Sequence, residues 1–267
     1  MLRKLKDKCH KKYRKNVLGV YSNFSDQEII IKYINDLNIQ KFCVDIAASD
    51  GQTMSNTYAL FKDGWISLVV EYDTSKFAKL SRKFRKFHDV NLAKTKVTPF
   101  NVISLLKGYE VPEKFGFFNL DIDSYDYYIL EQILSCFRPS LICAEINEKI
   151  PPPIKFTVKY SPKHVWAEDH FHGQSISQLH FLCDKFNYCL VKLHYNNAFI
   201  IPEELNIYST LTPQEAYTQG YLNQPDRQDK FPWNKNMEEI HSLSPKEAVN
   251  FLNTFFKRYE GKYICSL

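Results

Sequence analysis

Two periodicities alternate along this chain. Ile29, Ile30, Tyr33, Ile34 and Leu37 recur at helical spacing. Ser25-Asp26-Gln27-Glu28 ahead of them reads as a capping box in which Ser25 caps and Glu28 reaches back. Residues 42–46 form a short apolar run of the kind found in parallel strands buried on both faces. The same alternation continues downstream. Strands are predicted at 66–71, around 90–93, at 117–121 and at 141–145, with helices over 53–61, 76–87, 101–107 and 125–136 between them. After Pro151-Pro152-Pro153, which forces an extended loop, come a helix at 175–186 and strands at 189–193 and 198–201. Asn196-Asn197 between these two is a hairpin signal, so the last strand is expected antiparallel to the rest. Helices near 213–221 and 245–258 close the chain.

This order predicts an α/β fold: a Rossmann-like, doubly wound, mostly parallel seven-stranded sheet with its last strand antiparallel, plus a C-terminal helical extension. The expected organisation is a basic arm at 1–20, a main domain at 21–205 and the extension at 206–267. The length of 267 residues suits one α/β domain with an appendage.

Composition changes the picture in three places. The net charge of +5 is concentrated in residues 3–15 and in Lys76, Lys79, Arg82, Lys83, Arg85 and Lys86. Such patches could meet phosphate, an anionic membrane surface or nucleic acid, but no nucleic-acid motif accompanies them, and nucleic acid is not the favoured partner. The seven cysteines include no C-x-x-C pair, which points to a reducing compartment and a cytoplasmic protein. No apolar run approaches the roughly 18 residues a transmembrane helix needs.

The candidate chemistry sits where strands end, since ligands of open α/β sheets bind beyond the carboxyl ends of the strands. The first strand runs into Asp45-Ile46-Ala47-Ala48-Ser49-Asp50-Gly51, a turn of small residues that lets a ligand approach the backbone. Glu71 closes the second strand with Tyr72 beside it, and a carboxylate there can accept both ribose hydroxyls of an adenosine. The turn is not G-x-G-x-x-G, so a pyrophosphate would find a poor cradle. Asp45 suits a cationic cofactor better. A dinucleotide dehydrogenase therefore ranks last. Farther on, Asp121 and Asp123 share one strand face, Asp126 follows, and the next strand ends Ala144-Glu145-Ile146-Asn147. Carboxylates and an amide from adjacent strand ends could hold a hard divalent ion. The loop at 164–173 adds His164, His170 and His172, two acids and Trp166.

Residues 44–51 resemble the first motif of class I S-adenosyl-L-methionine (SAM)-dependent methyltransferases, and Glu71 resembles their ribose-binding acid. Residues 120–127 resemble the fourth-strand motif of FkbM-like methyltransferases, and the stretch Phe24 to Glu28 is also similar to theirs. The resemblance covers roughly residues 20–205. It departs at Ala47 and Ala48, where that family has more glycine. It implies SAM as cofactor, held by Asp45, Ala47, Ser49, Gly51, Glu71, Tyr72 and Asp121, and methyl transfer to a hydroxyl of a sugar, glycan or other small polar acceptor. A partial resemblance to catechol-type and TylF-type O-methyltransferases implies Mg²⁺ on Asp121, Glu145 and Asn147, with Glu for Asp and one extra residue as departures. In such a site His170 is the candidate base, oriented by Asp169 or Asp123, with Asp121 near the transferred methyl. Tyr160 and the loop aromatics would form a platform on which a sugar stacks. Methylation of RNA or protein, and a non-catalytic module binding partners through 206–267, remain the alternatives. A homodimer is compatible with the fold.

Overall fold

The computed structural model describes residues 19–267; the basic arm at 3–15 and Cys9 lie outside the described residues. Seven strands form one sheet: β1 (Phe42–Ile46), β2 (Ile66–Glu71), β3 (Val90–Lys94), β4 (Phe117–Leu120), β5 (Leu141–Glu145), β7 (Tyr188–His194) and β8 (Asn197–Pro202). Their order is β3-β2-β1-β4-β5-β8-β7. The pairs β1–β2, β2–β3 and β4–β5 are parallel, whereas β8 is antiparallel to both β5 and β7. This is the doubly wound sheet with an antiparallel last strand that the hydrophobic pattern predicts. Two further strands, β6 (Lys155–Val158) and β9 (Tyr263–Ser266), pair separately. No helix among the described residues is long and apolar enough to cross a membrane.

The chain divides into two compact units, residues 1–96 and 97–267. The first holds β1 to β3 with helices α1 (Asp26–Asp36), α2 (Tyr58–Lys62) and α3 (Thr74–Phe84). The expected capping box at Ser25 does not form. Ser25 takes a left-handed φ of 70° and offers no side-chain cap. Instead Ser22 Oγ accepts from the Gln27 N–H at 2.8 Å, and the Gln27 side chain ties back to Tyr21 and Gly19. α2 is shorter than expected because residues 53–57 are spent on turns. Asp73 caps α3 by accepting from Lys76 N at 2.8 Å. One stripe of that helix buries Leu80 and Phe84, and the basic residues occupy the other faces.

The second unit holds β4 to β9 with α4 (Val102–Gly108), α5 (Asp126–Cys136), α6 (Ile176–Phe186), α7 (Pro213–Tyr217), α8 (Arg227–Lys230) and α9 (Pro245–Phe255). Capping boxes start α7 (Thr212 with Glu215) and α9 (Ser244 with Glu247). A π-helical turn follows α7, and there Gly220 approaches the Leu193 carbonyl so closely that an added Cβ would lie 2.2 Å from its oxygen. The extension is tied to the rest of its unit by more than helices. β9 pairs with β6, and the strand pair joins Phe171, Met237, Ile240, Leu252 and Phe256 in a core of its own.

Candidate active site

In the first unit, the turn after β1 is built from backbone strain and hydrogen bonds. Ala47 and Ser49 lie in the left-handed region, at φ 67° and 53°, which bulky or β-branched residues avoid. The Ala47 and Ala48 N–H groups both donate to the Val70 carbonyl, at 2.9 and 3.0 Å, and so fold the turn onto the end of β2. Gly51, at φ 74°, has another reason to be glycine than access to a ligand. A Cβ there would sit 2.3 Å from Leu80 Cδ1 and 2.5 Å from Phe84 Cε2, so its missing side chain makes room for α3.

Glu71 is buried at the end of β2. Its Oε2 accepts from Ser49 N at 2.8 Å and its Oε1 from Asp73 N at 2.7 Å. An ionised carboxylate has about four acceptor sites, so two such bonds leave capacity for a ligand's hydroxyls. Asp45 is buried too, but Thr57 Oγ1 donates to its Oδ2 at 2.5 Å, which turns that oxygen toward the protein. Tyr72 is half exposed, with the Lys96 ammonium 6.0 Å from its ring centroid. Burial would raise Asp50, but Lys83 at 2.7 Å and hydrogen bonds from Thr53 and Gln52 hold it below the usual carboxylate range.

The second unit gathers its charged groups beyond β4 and β5. Asp126, fully buried at the start of α5, closes the turn after β4 by accepting from Ile122 N at 2.9 Å and Ser124 N at 3.0 Å. Burial pushes its pKa up to about 6, with those bonds pulling down and Asp121 pushing up. Glu145 is pushed well above the usual carboxylate range by burial and then by the charges of Asp121 and Asp123. Its Oε1 accepts from Asn196 Nδ2 at 2.7 Å. Asn147 donates both amide hydrogens to the carbonyls of His170 and His172, at 2.9 and 3.0 Å, and so clamps the 164–173 loop to the end of β5.

That clamp separates the loop's histidines. His170 is half-buried in a cleft with Asp169, Asn236, Phe255, Phe256 and Arg258, and burial and Lys149 lower its pKa. Asp169, expected to orient it, is instead bonded by Arg258, Tyr259 and the Phe171 N–H. His172 is the histidine brought together with Asp123 and Glu145: ligand atoms of the three lie within 4.8 Å of one another. Its Nδ1 is 3.7 Å from Glu145 Oε2, and both atoms are buried without a hydrogen-bond partner among the described residues. Its Nε2 is 3.0 Å from Lys149 Nζ, which also pairs with Glu148 Oε1 at 3.0 Å. Burial, then the Lys149 charge, lower His172 to about 3, so the ring is neutral at physiological pH.

Lys149 and Glu148 were not singled out in the sequence. The only signal was two charged residues directly after a buried strand. Both are 3% exposed or less. Burial alone would raise Glu148, but Lys149 outweighs it and keeps the acid ionised. Asn234 Nδ2 donates to Glu148 Oε1 at 2.7 Å and Tyr217 donates to its backbone carbonyl at 2.5 Å, so residues from the C-terminal extension complete this network.

The pair fits a divalent cation poorly. Lys149, ion-paired with Glu148, is an ammonium with donors only. His172 Nε2 must then accept, and the ring proton sits on Nδ1, pointing toward Glu145 Oε2. A metal bound at that oxygen would meet this hydrogen. The other expected ligand, Asn147, has its Oδ1 buried without a partner, but the Glu145 oxygen it would share a metal with is the one His172 faces.

No protein-family model matches the chain, and no curated protein matches it. Solved structures resemble it distantly. A Klebsiella pneumoniae protein provisionally named an O-methyltransferase is 12% identical over 71% of this chain and 86% of its own, with a TM-score of 0.44. The N-terminal domain of EvdMO1 with SAH bound is 10% identical over 72% of this chain and 96% of its own, at 0.47. The glycopeptide N-methyltransferase MtfA is 12% identical over 64% of this chain and 92% of its own, at 0.39.

Proposed function

We propose that the chain is a SAM-dependent methyltransferase of FkbM-like type that methylates a hydroxyl on a sugar, glycan or other small polar acceptor. The observation that carries the reading is Glu71. It is a buried carboxylate at the end of β2 whose two oxygens are aimed by the Ser49 and Asp73 N–H groups, beside a turn that lacks a pyrophosphate cradle. A carboxylate so placed takes the ribose diol of an adenosine. Ala47, Ser49 and Tyr72 would line the rest of the cofactor site, and the Asp45 and Asp121 carboxylates suit the cationic ends of SAM.

Transfer from a sulfonium is an in-line displacement. The acceptor oxygen bonds to the methyl carbon, the carbon–sulfur bond breaks with its electron pair going to sulfur, and the hydroxyl proton must leave. The groups beyond β5 supply the proton acceptor. Glu145, raised by burial and by Asp121 and Asp123, has the affinity for a proton that this step requires. Asp123 sets that field. His170 lines a different cleft, where it would contact the acceptor's distal part. Tyr160, edge-on to Tyr125 and to the exposed Phe100, offers aromatic surface on which a sugar ring can stack. No step is assigned to Mg²⁺.

Incubation with SAM carrying a tritiated methyl group and a panel of monosaccharides, glycosides and polyols tests the reading. Label in an acceptor with stoichiometric S-adenosylhomocysteine, lost in Glu71→Ala, supports it. Retention of all label in SAM by a protein that binds the cofactor would contradict it.

A further inference from the structure

Two orphaned polar atoms face each other in the interior: His172 Nδ1 and Glu145 Oε2, 3.7 Å apart. That is beyond hydrogen-bond reach and too close for either to find another partner behind the first. Unsatisfied buried polar atoms are costly, and two of them converging on one point mark the place of something that satisfies both.

What that something is follows from Lys149. Its Nζ lies 3.0 Å from His172 Nε2 and 3.0 Å from Glu148 Oε1, with all three side chains buried. An ammonium has no lone pair, so its contact with Nε2 can only be a donated hydrogen bond, and Nε2 must carry no hydrogen. Nδ1 of the neutral ring therefore does. The site then presents one donor, His172 Nδ1–H, and one acceptor, Glu145 Oε2. A group lying about 2.8 Å from each atom must accept one hydrogen bond and donate another, as a hydroxyl does. A divalent metal ion needs a lone pair at both atoms and finds one at Oε2 alone.

We infer that Lys149 is a positioning residue that fixes His172 as its Nδ1–H form, and that His172 and Glu145 together bind one hydroxyl group and exclude a metal ion. The identity of that hydroxyl as the methyl acceptor rests on the methyltransferase reading; the proton's position does not. In that reading the hydroxyl gives its proton to Glu145 Oε2 as its oxygen takes the methyl group. His172 Nδ1–H donates to the oxygen while it carries negative charge. Asn147, gripping the carbonyls of His170 and His172, and Asn196, holding Glu145 Oε1, keep the pair at its spacing.

Long-range proton–nitrogen correlation on the full chain labelled with ¹⁵N-histidine reads the proton directly, with His172 assigned from its loss in His172→Gln. The expected spectrum has Nδ1 protonated and Nε2 bare. Glycerol, titrated to molar concentration as a hydroxyl probe, is expected to move the Nδ1–H resonance, and Mn²⁺ to leave it unbroadened. Lys149→Gln supplies an amide oxygen that accepts from Nε2–H and so frees Nδ1. This variant is expected to bind Mn²⁺ at least about tenfold more tightly than wild type, as such outer partners typically tune metal affinity. If Lys149→Gln does not fold, the wild-type spectrum still decides. Protonated Nε2 in wild type, Mn²⁺ binding equal in wild type and variant, or no response to glycerol would each overturn the inference. Failure of SAM to bind would remove the acceptor assignment and leave these three results as they stand.

Discussion

Gly51→Ala is the substitution whose cost the structure lets us work out in parts. The glycine has φ 74°, in the left-handed region, where an alanine costs about 1–2 kcal/mol. The neighbouring Ala47 sits at φ 67° in the same turn, so this part alone is tolerable. Packing is added to it. The new Cβ would lie 2.3 Å from Leu80 Cδ1 and 2.5 Å from Phe84 Cε2, against a normal carbon–carbon separation of about 3.5–4.0 Å. Leu80 and Phe84 are themselves buried, and Phe84 is wedged edge-on against Tyr58, Phe61 and Phe87, so neither can step aside cheaply. Overpacking of this kind costs about 1–3 kcal/mol, which brings the expected total to about 2–5 kcal/mol.

Gly64→Ala is the control. Its φ is 73°, yet a Cβ there meets nothing within 4 Å, so only the backbone part of about 1–2 kcal/mol applies. Urea denaturation followed by circular dichroism compares the two. Gly51→Ala is expected to lose about 1–3 kcal/mol more than Gly64→Ala, and to bind SAM less well because the turn that carries Ser49 N to Glu71 must shift. Equal losses in the two variants would refute the packing argument and with it the claim that Gly51 exists to seat α3.

Three further outcomes are expected. His172 titrates at about 3 in the folded protein against 6.5 as its ordinary value, so the unfolded chain gains a proton that the folded one refuses. Stability therefore falls as pH drops from about 6.5 toward 3, by up to about 1.4 kcal/mol per pH unit from this group, and urea midpoints of wild type and His172→Gln should converge on acidification through that window; a constant difference would be contrary. Asp126 has the opposite sign: raised to about 6 from 3.8, it adds stability as pH falls between those values, and Asp126→Asn should lose that gain in the same titration, whereas an unchanged profile would show the carboxyl to be ordinary. Tyr217→Phe leaves the Glu148 carbonyl, its partner at 2.5 Å, unsatisfied in the interior and should cost about 1–3 kcal/mol in thermal unfolding; no change in midpoint would deny the C-terminal extension its hold on this network.

Much of the fold was legible because its strands are continuous apolar runs. β1, β2 and β5 begin and end where their hydrophobic segments do. The Asn196-Asn197 hairpin predicted the direction of β8 correctly. Local capping was less legible: Ser25 and Glu28 have the right spacing, but Phe24 and Ser25 both take positive φ, and Ser22 does the work. The β6–β9 pair was invisible, since Lys155–Val158 and Tyr263–Ser266 are four residues each and lie over 100 positions apart. At the site, Glu71 was readable from its place after a strand. The choice between His170 and His172 was not. Both alternate in one loop, and what separates them is the Asn147 amide and the Lys149–Glu148 pair, contacts no periodicity records. Gly51 was assigned to a ligand when its nearest neighbours are side chains of α3, because a sequence does not say which side of a turn is crowded.

The central claim is that Glu71 receives the ribose of SAM, and calorimetric titration of SAM into wild type and Glu71→Ala tests it most directly. The account predicts saturable one-to-one binding by wild type, with at least about a tenfold loss, equivalent to about 1.4 kcal/mol, in Glu71→Ala, and no change when EDTA replaces Mg²⁺ in the buffer. Absence of heat with wild type, or equal affinity in the variant, would contradict it.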